Sequence, residues 1–263
     1  MKTRNYKKEK ILNKEKKMNN NTITHVAIVL AAGKGSRMKS DIPKQYLKIN
    51  EKPILYYSLK AFQKNPQISE IILVTRKEDL NYCKEEIIKK FNLEKVKKIV
   101  PGGKERYNSV YEAIKTIKVN VGEKIYVHIH DGARPVISQT VINNCISNVI
   151  KHDAIVTAVK VKDTIKIVKN GYIESTLDRN ALWQIQTPQS FELNMIKSAY
   201  ENIINKIKEN NKNLPTITDD AMILENYNNQ RIIISEGDYK NIKVTTPEDM
   251  IVTECFLKVI DTE

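Results

Sequence analysis

The chain has 263 residues, enough for one large domain with a substantial buried core. Its formal net charge is +13, from 44 Lys and Arg against 31 Asp and Glu. Three scattered cysteines and four histidines, with no Cys-x-x-Cys pair, argue against a disulfide framework or a structural zinc site and suit a reducing, cytoplasmic setting.

Residues 1–17 hold eight Lys or Arg and two Glu, so +6 of the charge sits there and +7 in the rest. No apolar h-region follows, so residues 1–24 read as a solvated basic extension, not a secretory signal. Met18 is a candidate start. No apolar run approaches the roughly 18 residues that span a bilayer. A basic balance of this size points to nucleic acid, an anionic surface or a small anionic substrate. Nucleic-acid domains cluster Lys and Arg among aromatics. Here Asp and Glu are mixed among the lysines throughout the body, which favours the small substrate.

From His25 onward, apolar strands alternate with amphipathic helices. "HVAIVL" (His25–Leu30), "EIILVT" (Glu70–Thr75), a strand near Lys98–Val100, "KIYVHIH" (Lys124–His130) and "AIVTAVKV" (Ala154–Val161) are short, β-branched and nearly continuously apolar. Strands covered on both faces read this way. A helix is predicted from Pro53 to about Gln63. A second carries Val110, Ile114 and Ile117 on one face, and a third spans Asn194 to Glu209. The pattern predicts an α/β fold: a Rossmann-like, mostly parallel twisted sheet with helices on both faces, in a single domain over 25–259. Asp163–Asp178 departs from this rhythm. Two short strands flank Asn170-Gly171, a strong hairpin signal. This inserted β-hairpin reads either as an ordinary edge hairpin or as an arm reaching a partner subunit or a neighbouring site.

In α/β sheets, ligands bind at the carboxyl ends of the strands. After the first strand comes Gly33-Lys34-Gly35-Ser36-Arg37. Its glycines let the backbone approach a ligand, and successive N–H groups can nest an anion. The segment is neither a P-loop nor a dinucleotide fingerprint, because Met38 stands where a third glycine belongs. A plain tight turn is the bland reading. "PGGKERYNSV" (Pro101–Val110) is a second bare loop entering a helix, with Ser109 about one turn inside. "HDGARP" places Asp131 where an apolar strand ends. A carboxylate there suits Mg²⁺, which takes one or two carboxylates with phosphates and water. It equally suits an N-cap or a partner for Arg134. His128 and His130 alternate along the strand and read as packed polar residues before metal ligands. Three later segments, "DRNALWQIQTPQSF" (Asp178–Phe191), "TDDAMILE" (Thr218–Glu225) and "NIKVTTPEDM" (Asn241–Met250), read as turns. Thr218 suits an N-cap before Asp219 and Asp220, and Thr246–Asp249 opens a helix. Arg179 and Lys243 have no such local role. Asp238 is a further carboxylate that could join a metal site.

Taken in order, "LAAGKGSRM", "PKQYL", "GGKERYNSV", "HDGARP", "DT", "DR" before "QTPQ", "TDDA" and "NIKVTTPED" form a specific set, although each is weak alone. With them the chain resembles the 2-C-methyl-D-erythritol 4-phosphate cytidylyltransferase family over about Val26 to Leu257. The family pattern usually has Ala where Gly132 stands, a small change read as leaving room for nucleotide. Ribitol-5-phosphate cytidylyltransferases, the nearest rival, tend to carry Gly for Ala32 and Phe for Tyr46. The cyclase domain fused on in bifunctional relatives is not expected, because the chain ends soon after Leu257.

The resemblance implies transfer of CMP from CTP to 2-C-methyl-D-erythritol 4-phosphate with release of pyrophosphate. By carry-over, Arg37 and Lys44 stabilise charge on the α-phosphoryl group. Ala31, Ala32, Gly33, Gly35, Gly103, Ser109 and Gly132 surround the nucleotide. Arg134, Thr164, Arg179, Thr187, Thr218 and Lys243 contact the polyol phosphate, with Arg179 and Lys243 holding it for in-line attack. Asp131 lies by an Mg²⁺, or another divalent cation, that bridges the CTP phosphates. A phosphate monoester is already anionic near neutral pH, so no strong general base is required. The resemblance also implies a homodimer. The hairpin, about 162–182, would be its arm and would carry Thr164 and Arg179 into the partner's site. No specific nucleic acid and no membrane is implied.

Overall fold

Alternate residues of β1 (Thr22–Ala31) face two different cores: Val26 and Ile28 pack into one, Ala27 and Val29 into the other. Such a strand is buried on both sides, which is why its sequence is continuously apolar. The computed structural model describes residues 22–33, 38, 42–209, 216–228 and 230–260. The expectations placed on residues 1–17, Lys34, Gly35 and Arg37 lie outside these described residues.

A short pair, β2 (Lys48–Ile49) and β3 (Lys52–Pro53), follows β1. The main sheet continues with β4 (Ile68–Thr75), β5 (Val96–Pro101), β6 (Glu123–Asp131) and β7 (Ala154–Lys160). The strands β8 (Lys166–Lys169) and β9 (Tyr172–Thr176) form a separate ladder. The main sheet is completed by β10 (Trp183–Glu192) and β11 (Ile233–Glu236). Its order is β11-β7-β10-β6-β1-β4-β5. β1 runs parallel to both β4 and β6, and the pairs β4–β5 and β7–β11 are also parallel. Only β10, between β6 and β7, is antiparallel.

Helices cover both faces. Arg106–Lys115 and Leu193–Lys208 contribute Val110, Ile114, Ile196 and Tyr200 to one core. Ile54–Lys64 and Gln139–His152 contribute Leu59, Phe62, Ile142 and Val149 to the other. Each fully buried Leu, Ile or Phe side chain stabilises the fold by about 1.5–3 kcal/mol. The α/β expectation holds, with the helix after Pro53 beginning at Ile54.

Two strands of the main sheet were not legible. Asp178–Phe191 was expected as a turn, but Trp183–Glu192 is a strand, hidden in the sequence because Pro188 lacks a ladder donor and glutamines interrupt the alternation. The register with β7 jumps from Ile185 to Gln189, so Gln186–Pro188 form an irregularity that accommodates the proline, whose peptide with Thr187 is cis. β11 is four residues at the sheet edge, too short to show a period.

The hairpin is not an edge of the main sheet. β8 and β9 pair only with each other and every one of their residues is exposed. Asn170 and Gly171 have φ of 51° and 84°, the two positive angles a tight hairpin turn needs.

Candidate active site

The carboxyl ends of β1, β4, β5 and β6 lie along one edge of the sheet and are stitched together there. Gly102 N–H donates to the Thr75 carbonyl (2.7 Å), and Gly132 N–H donates to the Leu30 carbonyl (2.8 Å). A cleft of about 210 Å³ opens at this edge. Ala31, Ala32, Gly33, Lys44, Gly103, Ser109, Asp131 and Lys243 line it, together with Gln45 and Arg106.

Close backbone packing builds the first wall. A Cβ on Gly102 would stand 2.5 Å from Ala32 Cβ and 2.8 Å from Ser109 Oγ, so only glycine fits. Ser109 Oγ accepts from Gly103 N–H (3.1 Å) and donates to the Glu105 carbonyl (3.2 Å). Ser109 thus holds the loop against its helix. That helix, Arg106–Lys115, starts with a reciprocal cap in which Glu105 N–H donates to Asn108 Oδ1 (3.1 Å) and the Glu105 side chain accepts in return. This cap is not legible in the sequence, because Glu at the N-cap departs from the usual Ser or Thr.

Lys44 sits on a short 3₁₀ turn, Lys44–Tyr46, whose three side chains reach three segments. Lys44 Nζ donates to the Val244 carbonyl (2.9 Å) and Gln45 Nε2 to the Ala31 carbonyl (2.8 Å). Tyr46 Oη bonds Thr75 Oγ1 (2.8 Å) and donates to Asp79 Oδ2 (3.0 Å). The turn is thereby fixed against β1, the end of β4 and the Lys243 loop.

Opposite lies a cluster of charge. Asp131 Oδ2 is 2.7 Å from Lys243 Nζ and 4.0 Å from Arg134 Nε, while Oδ1 is 3.4 Å from Arg106 Nε. Arg106 Nη2 also reaches Asp220 Oδ2 at 2.7 Å, and Asp220 is fully buried. Three cations therefore face two carboxylates, leaving one surplus positive charge beside the cleft. Burial alone would raise the Asp131 carboxyl, but the charges of Arg106, Lys243 and Arg134 override it and hold the group far below the ordinary carboxylate range. Burial works against the Arg106 charge too, yet Asp220 and Asp131 keep it well above its usual value. Arg134 is pushed down by burial, and its Nε has no hydrogen-bond partner.

The donor set does not fit a resident Mg²⁺. Asp131 offers a single carboxylate with both oxygens turned to cations, and an ion bound there would have to displace Lys243. Among the described residues no group of three His, Cys, Asp or Glu could hold a metal. Asp238 lies elsewhere: its Oδ1 accepts from Lys240 N–H (2.8 Å), and it lines a different cavity with Ser138 and Gly237. The strand histidines are packed polar residues. His128 bonds His25 (3.0 Å) and Ser190 (2.8 Å), and His130 bonds Thr187 (3.1 Å) and the Arg134 carbonyl (3.1 Å).

The remaining expected site residues divide. Thr187 is buried behind the cleft, where its Oγ1 accepts from Asp131 N–H (3.1 Å), so it sets the Asp131 backbone. Arg134 Nη1 donates to the Asn241 carbonyl (2.7 Å). Gly132 does not line the cleft. A Cβ there would meet the Leu30 carbonyl oxygen and Leu55 Cδ1, each at 2.9 Å, so close packing and not nucleotide room explains the glycine. Thr218 is exposed and its hydroxyl faces Met222 Sδ (3.0 Å). Asp219 Oδ1, in its place, accepts from Met222 N–H (3.1 Å) at the start of the helix Ala221–Asn228, because its carboxylate is one residue nearer the open N–H groups. Thr164 and Arg179 are exposed at the base of the hairpin, outside the lining of this cleft, with Arg179 Nη1 on the Lys162 carbonyl (2.9 Å). Gly35 and Arg37 lie outside the described residues.

Bare backbone at a carboxyl sheet edge, faced by the amines of Lys44 and Lys243 and a surplus of positive charge, is suited to an attacking phosphate and a triphosphate, which places the chain among the nucleotidyltransferases. Residues 25–259 match the family model described as IspD: 2-C-methyl-D-erythritol 4-phosphate cytidylyltransferase. A cytidylyltransferase of that name from Lachnospira eligens is 49% identical over 89% of this chain and 99% of its own. One from Lachnoclostridium phytofermentans is 47% identical over 88% and 95%. Among solved structures, 4-diphosphocytidyl-2C-methyl-D-erythritol synthase from Anaerococcus prevotii superposes with a TM-score of 0.75 at 30% identity, covering 92% of this chain and 98% of that one. The chain belongs to the 2-C-methyl-D-erythritol 4-phosphate cytidylyltransferase family.

Proposed function

We propose that the cleft around Asp131 transfers CMP from CTP to 2-C-methyl-D-erythritol 4-phosphate, giving 4-diphosphocytidyl-2-C-methyl-D-erythritol and pyrophosphate. The observation that carries this division of roles is the convergence of Ala31, Ala32, Gly33, Lys44, Gly103, Ser109, Asp131 and Lys243 on one cleft.

The nucleoside lies against Ala31–Gly33, Gly103 and Ser109, where no side chain stands between backbone and ligand. The acceptor phosphate is drawn to the surplus positive charge at Lys243. Its oxygen attacks the α-phosphorus in line and the bond to pyrophosphate breaks. Lys44, joined by Arg37 on the sequence reading, offsets the charge that develops on the α-phosphoryl oxygens and the leaving group. A divalent cation accompanying CTP would offset charge on its phosphates, and Asp131, turned to Arg106 and Lys243, would not hold it.

The working unit is a homodimer. A two-stranded hairpin is marginal alone in water. This one exposes Ile167, Val168, Tyr172 (80%) and Ile173 (66%), which a second copy would cover. Thr164 and Arg179, at its base, then serve the partner's cleft. No helix among the described residues is long and apolar enough to cross a membrane.

Pyrophosphate release from CTP and Mg²⁺ tests the acceptor, with 2-C-methyl-D-erythritol 4-phosphate beside D-ribitol 5-phosphate at equal concentration. Turnover with the first is expected. Preference for the second would overturn the acceptor assignment and leave the transfer chemistry standing.

A further inference from the structure

Asp220 has no access to solvent, and its surroundings hold it from several sides. Tyr200 Oη, on the helix Leu193–Lys208, donates to Oδ1 (2.5 Å). Asp220 N–H and Ala221 N–H both donate to Gln189 Oε1 (2.9 and 3.0 Å), and Gln189 Nε2 donates to Asp219 Oδ2 (2.9 Å). The other oxygen of Asp220 takes Arg106 Nη2. Through Nε, the same guanidinium faces Asp131 Oδ1, and Asp131 Oδ2 takes Lys243 Nζ. A continuous line, Tyr200–Asp220–Arg106–Asp131–Lys243, therefore joins a sealed anchor to an amine at the cleft. Lys44 and Lys243 approach it from the open side, and Arg134 flanks Asp131 from behind.

We propose that Arg106 is a positioning residue for the acceptor phosphate: anchored on Asp220, it fixes the Asp131 carboxylate that aims Lys243 into the cleft. The proposal rests on the reading of Lys243 as the amine that holds the acceptor. A planar guanidinium offers separate N–H groups to two carboxylates, whereas one ammonium is a point charge on a flexible stem. Charge alone is thus not sufficient at position 106, and the nucleoside wall, set by Gly102, Ser109 and the Glu105–Asn108 cap, does not depend on the bridge.

Arg106→Lys keeps the charge and breaks the bridge. Steady-state kinetics are expected to show KM for the polyol phosphate raised about tenfold and kcat lowered, with KM for CTP within about twofold of wild type; the melting temperature falls, because the buried Asp220 loses part of its pairing. Asp220→Asn, which leaves Arg106 in place but removes its anchor charge, is expected to move the same constants in the same direction. Should Arg106→Lys fail to fold, Asp220→Asn carries the test, and an unchanged acceptor KM in that variant overturns the proposal. A parallel rise in the CTP and acceptor KM values also overturns it, since Arg106 would then serve the nucleotide loop. Lys243→Ala separates the two claims. If it raises the acceptor KM while Arg106→Lys does not, only the positioning role fails. If it leaves the acceptor KM unchanged, the reading of Lys243 fails and the positioning role fails with it.

Discussion

The cleft and the hairpin arm solve opposite problems. The cleft gathers charges from five distant segments, and its two buried carboxylates, Asp131 and Asp220, are each paired with cations. The arm takes one continuous stretch of chain, satisfies its backbone within two strands, and leaves apolar side chains in water. The first arrangement is complete within one chain, because an unpaired buried charge costs several kcal/mol. The second lacks a hydrophobic core of its own and leaves Tyr172 and Ile173 exposed, the surface the proposed second copy would cover. A charged site can thus be assembled within one chain, while an apolar arm on the same chain cannot cover itself.

Removing a cation from the cleft should have the largest effect. Lys44→Ala and Lys243→Ala should each lower kcat/KM by about 100-fold or more with the fold retained, as loss of a preorganised charge does elsewhere. Near-normal turnover would detach both lysines from the chemistry. The comparison breaks differently at the arm. Ile167→Lys with Ile173→Lys should shift sedimentation from dimer to monomer and depress activity, while the melting temperature of the domain changes little. A dimer that survives both substitutions would remove the arm from the interface.

Acid should act on the site's interior support and spare the arm, which has no histidine between 162 and 182. Burial, with help from His25, pushes His128 down to about 3, and burial pushes His130 down to about 4. Both folded values lie below the unfolded 6.5, so both rings are held neutral. Their contribution is fully present above pH 6.5 and is lost as pH falls toward the folded values. At pH 5 the loss is about 2 kcal/mol per histidine. Asp131 stays ionised across this window and does not contribute to the slope. Urea midpoints at pH 7.5 and pH 5 check the sign, and His128→Asn should flatten part of the difference. The smallest effect is expected at Gly132→Ala. This change restores the residue usual in the family pattern, yet it should cost about 1–3 kcal/mol through overpacking against the Leu30 carbonyl, read as a lower melting temperature.

Local chemistry wrote much of this molecule into its sequence. The longer parallel strands were legible because strands buried on both faces carry unbroken β-branched runs. The hairpin was legible because Asn170 and Gly171 adopt positive φ readily. The glycine loops could be placed at the ligand edge because the ends of parallel strands share one side of a sheet, whereas Lys44 was placed there only by the family resemblance. Long-range geometry was not legible. Trp183–Glu192 became a central strand because neighbours on both sides supplied its ladder and an irregularity absorbed Pro188. Gly132 was read as nucleotide room and is a packing contact with β1. Asp131 looked like a metal ligand when only its own segment was in view. Arg106 and Lys243, 25 residues before it and 112 after it, turned it into the hub of an ion cluster. Composition and spacing determine which groups stand at the end of each strand. Only the packed fold decides which charges meet there, because pairing energies depend on distances that sequence separation does not encode.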